Sequence, residues 1–482
     1  MKKILFMAGL ASLILLGCDS FLDVKPKGFT IPELLNDYKQ LLNDQGLIRA
    51  SPAYPDYLSD NVQSGDPTDV NRSASFDSYP TVKKRLYTFE HGAIFEDGQF
   101  DPYWESAYSH IFTYNVVINN VLSAKDGKEE EKKRVWAEAK IGRAFEYLTL
   151  VNIYAKHYDS KTAASDLGVP LVLSEDINKS YERVSVAQIY ELVETDLQEA
   201  LPHLASSSAH RFQPLKTVGF AFLSRMNLYK GNYGEALTNA REALKLNEYL
   251  EDYKLYTTKD KTTWGRVCLI TDEDVPFPDV RESNETVWGR LGTSSYGALN
   301  AEVYASADLK SVYSKNLPNG AKDMRYELFF CQDSASFGAN VTRFPGRTLW
   351  APYVEMNTGF STPELYLTIA ECEARVGSTA QALSWINKLR DMRIKNNSPI
   401  ANLSKDETLK LVLDERRREM PYTASTRLID LKRLATSGDL NKNIIHVLSG
   451  KEMSMPSNDP RMILPVAPKA LSLNPNMPQY ER

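Results

Sequence analysis

Few residues in this chain are arranged for covalent or metal chemistry. The six histidines (His91, His110, His157, His203, His210 and His446) include no pair at metal-ligand spacing, and no cysteine lies two to four residues from another. Gly292 to Gly297, GTSSYG, is one residue too long for a nucleophile elbow and lacks a strand-turn-helix context. Walker and dinucleotide fingerprints are absent from the sequence. Carboxylates are plentiful, but no two are singled out as an acid and base. Asp56, Asp60, Asp66 and Asp69 leave room for a structural calcium, though not at EF-hand spacing, so no metal or other cofactor is expected. In Glu415-Arg416-Arg417-Arg418-Glu419 the two acids sit at i and i+4 of a helix and the arginines point three ways. That is the pattern of a solvated or intramolecularly paired face, not of an anion site. Aromatic chemistry remains. Phe76, Tyr79, Phe95, Trp264, Trp288, Tyr296 and Trp350 lie outside the helical periodicity, with Asn71, Arg72, Asp77, Arg290 and Asn300 among them. Flat rings beside amides and charges can hold a ligand by stacking and hydrogen bonding.

Loops need a scaffold, and Leu215 to Asn247 is its clearest part. Val218, Ala221, Phe222, Met226 and Tyr229 share one helical face, and Tyr233, Ala236, Leu237, Ala240, Ala243 and Leu244 share the next. Gly231 stands at the reversal between them, because only glycine takes a left-handed backbone without a Cβ penalty. This is the pattern of a tetratricopeptide unit, which must stack on others to bury its apolar face. Further helix pairs are expected at about 101–158, 185–230 and 362–396, with loop-rich stretches at about 50–100 and 250–360. Ser404 opens a further helix through a capping box with Glu407.

The chain has 482 residues and a net charge of −5, which argues against non-specific nucleic-acid binding. Lys2 and Lys3 precede an apolar run, Ile4 to Leu16, too short to span a bilayer. It ends at Leu15-Leu16-Gly17-Cys18, which resembles a bacterial lipobox. Residues 1–17 are therefore expected to be a lipoprotein signal peptide, with Cys18 acylated (palmitate among the chains) as a membrane anchor. The remaining cysteines, at 268, 331 and 372, allow at most one disulfide and are expected as buried thiols.

Taken in order, several segments resemble the SusD/RagB family of surface lipoproteins of Bacteroidota. They are the lipobox followed by FLDVKPKG, then WESAYSHIFTYN, AEAKIGRAFEYLTLVNIYA with GVPLVL, and the Leu215 to Asn247 unit. STPELYLTIAECEARVGSTAQALSWINKLRDMR, LVLDERRREM with RLIDLKRLA, and ILPVAPKALSLNPNMPQY complete the set. One step departs: between Met420 and Arg427 the acid that the family commonly places near that arginine is missing.

The resemblance implies a mostly α fold. Four tetratricopeptide-like helix pairs would form a scaffold packed against a loop-rich half with short strands and helices, with residues 18–482 one SusD-like domain. It implies a binding protein and not an enzyme, anchored in the outer membrane and facing the cell exterior. Such a protein captures oligosaccharides, or peptides in the RagB branch, for a SusC-type TonB-dependent transporter. A tetratricopeptide adaptor that binds only proteins is the reading from another class. A sugar site needs aromatic faces on the loops, so the ligand-binding candidates are Phe76, Tyr79, Trp264, Trp288, Tyr296 and Trp350. At least one of Tyr79, Trp264, Trp288 and Tyr296 is expected to touch ligand. Trp288, in a strand-like segment, divides evenly between core and surface.

Overall fold

The computed structural model describes residues 32–63, 80–176, 178–258, 267–292, 304–337, 340–350, 356–448 and 450–482; within 333–350 the only side chain described is that of Thr348. The chain is mostly helical, and local signals set where its helices start and stop. α1 (Pro102–Asn120) begins where the Asp101 carboxylate accepts the Tyr103 N–H, with Pro102 in the first turn. α2 (Glu129–Tyr154) begins on three glutamates, which suit the positive end of the helix dipole. α3 (Val186–Ala200) opens on a Ser185–Gln188 capping box. α4 (Lys216–Lys230) closes on Gly231, whose φ is +76°, and α5 (Tyr233–Leu246) returns along it. α6 (Thr362–Val376), α7 (Thr379–Arg393), α8 (Lys405–Glu419, with the expected Ser404–Glu407 box) and α9 (Thr426–Ser437) follow.

α1 packs on α2, α2 on α3, α4 on α5, and α6 on α7 and α8. α3 runs along α2 far more than along α4. α5 packs directly on α6, although more than a hundred residues separate them. Strand Thr286–Trp288 pairs with Phe360–Ser361, and the Thr362 hydroxyl donates to Tyr249 O (2.5 Å), so the insertion returns beside the point where it leaves the helices. Close approach needs small residues here: a Cβ on Gly142 would lie 2.3 Å from the Tyr114 ring, so α1 and α2 can touch only with glycine there.

Four residues of the Glu415–Glu419 run, Glu415 to Arg418, are buried and Glu419 is half-buried, so the run is not a solvated face. Glu415 accepts from Arg325 (2.6 Å), Arg390 (3.0 Å) and Arg418 (2.7 Å). Burial would raise its pKa, but these three guanidinium groups hold it well below the usual carboxylate range. Glu419 pairs with Arg325 and Arg393, Arg416 with Asp430, and Arg433 with both Asp430 and Glu371. The ion network locks α6, α7, α8 and α9 together. Arg427 finds its missing acid far away in sequence: Asp60 accepts from its Nε at 2.7 Å and its second terminal nitrogen at 2.8 Å.

The loop-rich part carries a small sheet of β1 (Val62–Gln63), β2 (Tyr304–Ala305), β3 (Phe330–Phe337) and β4 (Asn340–Trp350), in the order β1-β2-β4-β3. A second hairpin, β5 (Asn443–Leu448) with β6 (Lys451–Pro456), lies beside β1. Neither long hairpin is marked by the sequence periodicity. Cys268, Cys331 and Cys372 are buried free thiols, as expected. Among the described residues no helix is long and apolar enough to cross a membrane.

Candidate functional site

The register of the sheet decides where the candidate loops attach. Gln63 pairs with Tyr304, Leu349 with Tyr304, and Trp350 with Phe330, all antiparallel. Gln63, Tyr304 and Trp350 therefore share one end of the sheet. Three segments join the structure at that end: 64–79, which carries Phe76 and Tyr79; 293–303, which carries Tyr296; and 351–355, which follows Trp350. Phe76, Tyr79 and Tyr296 themselves lie outside the described residues, as do Asn71, Arg72, Asp77 and Asn300. Trp350 is the last residue of β4, and nothing is described of its side chain. Trp264 also lies outside the described residues, in the segment joining the paired strands Tyr256–Thr258 and Val267–Leu269.

A cleft of about 570 Å³ runs along β1 from Gln63 at this end to Asp60, the start of helix Ala307–Ser314 and the β5–β6 hairpin. Gln63, Asp308, Lys442 and Asn443 line it, with Ile445 and Val447 as exposed apolar surface. Lys442 Nζ donates to Asp60 (2.6 Å) and Asp308 (2.9 Å), and Arg417 donates to Asp308 (2.9 Å). Burial would raise both carboxyls, but the cations around them lower both; Asp60 falls well below the usual carboxylate range. A general acid for glycosidic cleavage needs the opposite shift. Paired charges and the Gln63 and Asn443 amides suit hydrogen bonding to a ligand rather than proton transfer. His446 lines the same cleft but is stacked between Tyr87 (4.2 Å) and Phe89 (4.5 Å), and its ring nitrogens face the Tyr87 and Ser59 carbonyls.

Trp288 has a packing role. It is fully buried, its indole N–H donates to Phe212 O at 2.9 Å, and Phe145, Phe360 and the Arg290 guanidinium cover its rings. It has no face to offer a ligand, so the core side of the sequence expectation holds. Of the calcium candidates, Asp56 is fully buried with burial pushing its carboxyl up to about 7, and Asp60 is saturated by cations; Asp66 and Asp69 lie outside the described residues. Among the described residues no group of His, Cys, Asp or Glu could hold a metal. Asp308, Lys442 and Asn443 were not legible as site residues, because only the β1–β5 contact brings them to Gln63 and Asp60.

Comparison with known proteins gives consistent matches. A family model described as starch-binding and associating with the outer membrane matches residues 20–228, and the SusD family model matches residues 362–481. SusD-like protein P2 of Formosa agariphila is 23% identical, over 95% of this chain and 98% of that one. SusD-like protein P25 of the same organism is 22% identical, over 66% of this chain and 67% of its own. Among solved structures, a SusD superfamily protein from Bacteroides thetaiotaomicron is 19% identical over 93% of this chain and 100% of that one, with a TM-score of 0.67. One from Bacteroides vulgatus is 18% identical over 93% and 99%, with a TM-score of 0.68. A laminarin-binding SusD-like protein is 16% identical over 92% and 98%, with a TM-score of 0.59.

Proposed function

Because the chain belongs to the SusD family, we propose that it is a cell-surface lipoprotein that captures oligosaccharides and delivers them to a SusC-type TonB-dependent transporter. The observation that carries this reading is the sheet end at Gln63, Tyr304 and Trp350, where three segments bearing or flanking loop aromatics attach beside a cleft lined with polar groups. Stacking rings next to hydroxyl-binding groups are what a sugar needs. The depressed carboxyl pKa values in the cleft support binding without cleavage, and the reading requires no cofactor. Cys18, outside the described residues, is the lipid attachment point in this proposal, and the bound body faces the cell exterior.

The test is isothermal titration calorimetry of the purified protein against a panel of neutral polysaccharides, starch and laminarin included, with a reducing-end assay run in parallel. The proposal expects saturable heat with at least one glycan and no released reducing ends. Binding of peptides with no glycan response moves the protein to the peptide-binding branch. Released reducing ends refute the non-enzymatic reading.

A further inference from the structure

A second cleft, of about 530 Å³, lies between the segment 39–49, the start of α2 and the loop at 281–291. Lys39, Arg49, Arg134, Arg281 and Arg290 line it against two carboxylates, Asp44 and Glu138. Both acids are occupied: Asp44 accepts the Gly46 N–H at 2.8 Å, and Glu138 accepts from Gln213 at 2.6 Å and sits 3.7 Å from Arg134. Two of the cations have acids of their own, Arg281 with Asp279 (3.4 Å) and Lys39 with Glu131 (4.0 Å), so five cations face four acids and the excess is one positive charge. Arg290 is its deepest charge, only 5% exposed. One terminal nitrogen donates to Gly289 O (2.9 Å) and Phe212 O (3.4 Å), and the guanidinium lies 3.4 Å over the Trp288 ring. Tyr114, whose burial raises its pKa to about 12, hydrogen-bonds it as a neutral phenol. No carboxylate pairs with Arg290 among the described residues, and its buried Nε has no hydrogen-bond partner. The nearest acid whose field reaches it, Glu146, is taken up by His110 (2.7 Å) and Tyr103 (3.4 Å). A buried guanidinium held only by neutral acceptors is an expensive arrangement, and a cleft open to a ligand relieves it.

We propose that this cleft binds the oxyanion group of a small solute, a carboxylate or a sulfate, with Arg290 as the anchor and Arg134 and Arg281 as flanking cations. The site shares no lining residue with the cleft beside the sheet end and does not depend on the oligosaccharide reading. Its anion can come from an acidic or sulfated sugar or from a free inorganic ion.

Calorimetry of the full chain with sodium galacturonate, sodium sulfate and neutral galactose, each against matched sodium chloride, tests it. Binding of galacturonate or sulfate, with none of galactose, is the expected result. Tighter binding of galacturonate assigns the sugar acid as source; sulfate as tight or tighter assigns the free ion. Arg281→Ser changes a side chain 65% exposed, so the fold stays intact, and it should weaken the anion about tenfold, the loss of one charge-assisted hydrogen bond. Arg134→Gln should act in the same direction, and Arg290→Met should abolish binding, with its melting temperature checked for folding. No anion response above the chloride control in the wild type, or equal affinity in Arg281→Ser and Arg134→Gln, overturns the proposal.

Discussion

Replacing Asp60 by Asn removes the hub that joins β1 to α8, α9 and the β5–β6 hairpin. The carboxylate is 4% exposed and accepts from Arg427 at 2.7 and 2.8 Å and from Lys442 at 2.6 Å, with Arg417 3.3 Å away. Lys442 and Arg417 keep Asp308, but Arg427, only 8% exposed, keeps no comparable partner. Taking one member from a buried pair costs about 3–5 kcal/mol, because the other charge is left desolvated. The retained Asp308 contacts place this case near the lower end, so Asp60→Asn should lose about 3 kcal/mol at pH 7. Urea unfolding followed by circular dichroism and by tryptophan fluorescence measures it, coincident transitions licensing a single free energy. The pH dependence gives a second readout. The folded pKa of Asp60 is depressed, so its stabilisation is present above the unfolded value near 3.8 and is lost as pH falls through the folded value. The gap between wild type and Asp60→Asn should therefore be constant from neutral pH to about 5 and close only in strong acid. In a double-mutant cycle with Arg427→Met, the coupling should be about 1–3 kcal/mol. A variant within about 0.5 kcal/mol of wild type at pH 7, the range of an ordinary surface substitution, would refute the reasoning.

Three other outcomes follow from the same geometry. Gly142→Ala forces a methyl against the Tyr114 ring and should cost about 1–3 kcal/mol of overpacking, readable as a lower urea midpoint with unchanged slope; an unchanged midpoint would contradict it. Lys432 is buried and donates to the carbonyls of Asn152 (2.5 Å) and Ala155 (2.7 Å) at the end of α2, and burial pulls its amine down to about 7. The unfolded chain then holds the extra proton between about pH 7 and 10, so this group makes stability rise with pH across that window; Lys432→Met should flatten the slope by up to about 1.4 kcal/mol per pH unit, and identical slopes would exclude the shift. Cys18→Ala should abolish palmitate labelling and release the protein from the membrane fraction, and continued labelling would remove Cys18 as the attachment point.

The helices were legible because their signals are local. Helices start near 101 and 185 where the sequence indicates, Ser404 caps as its box predicts, Gly231 turns where a left-handed residue is needed, and the apolar faces of α4 and α5 meet as their spacing requires. The Glu415–Glu419 run was legible as ion pairing, but its burial was not, since its partners Arg325, Arg390, Arg393 and Asp430 come from other elements. The partner of Arg427 lies 367 residues away and no pattern near either residue announces it. The β3–β4 and β5–β6 hairpins escaped notice because their strands mix charged and small residues with apolar ones, which blurs a period of two. Trp288 shows the limit for the site: a strand-like setting does not say which face is covered, and here Phe145, Phe360 and Arg290 cover it.

The central claim is that the segments attached at the Gln63, Tyr304 and Trp350 end of the sheet recognise oligosaccharide through their aromatic rings. Its most direct test is calorimetry with the polysaccharide that binds best, comparing wild type with a variant carrying alanine at Phe76, Tyr79 and Tyr296, with Trp288 retained for the core. Stacking contacts of this kind predict a loss of at least about tenfold in affinity, for aromatic contributions of roughly 0.5–1.5 kcal/mol each beyond area burial, with the melting temperature preserved. Full affinity in the folded variant would contradict the account.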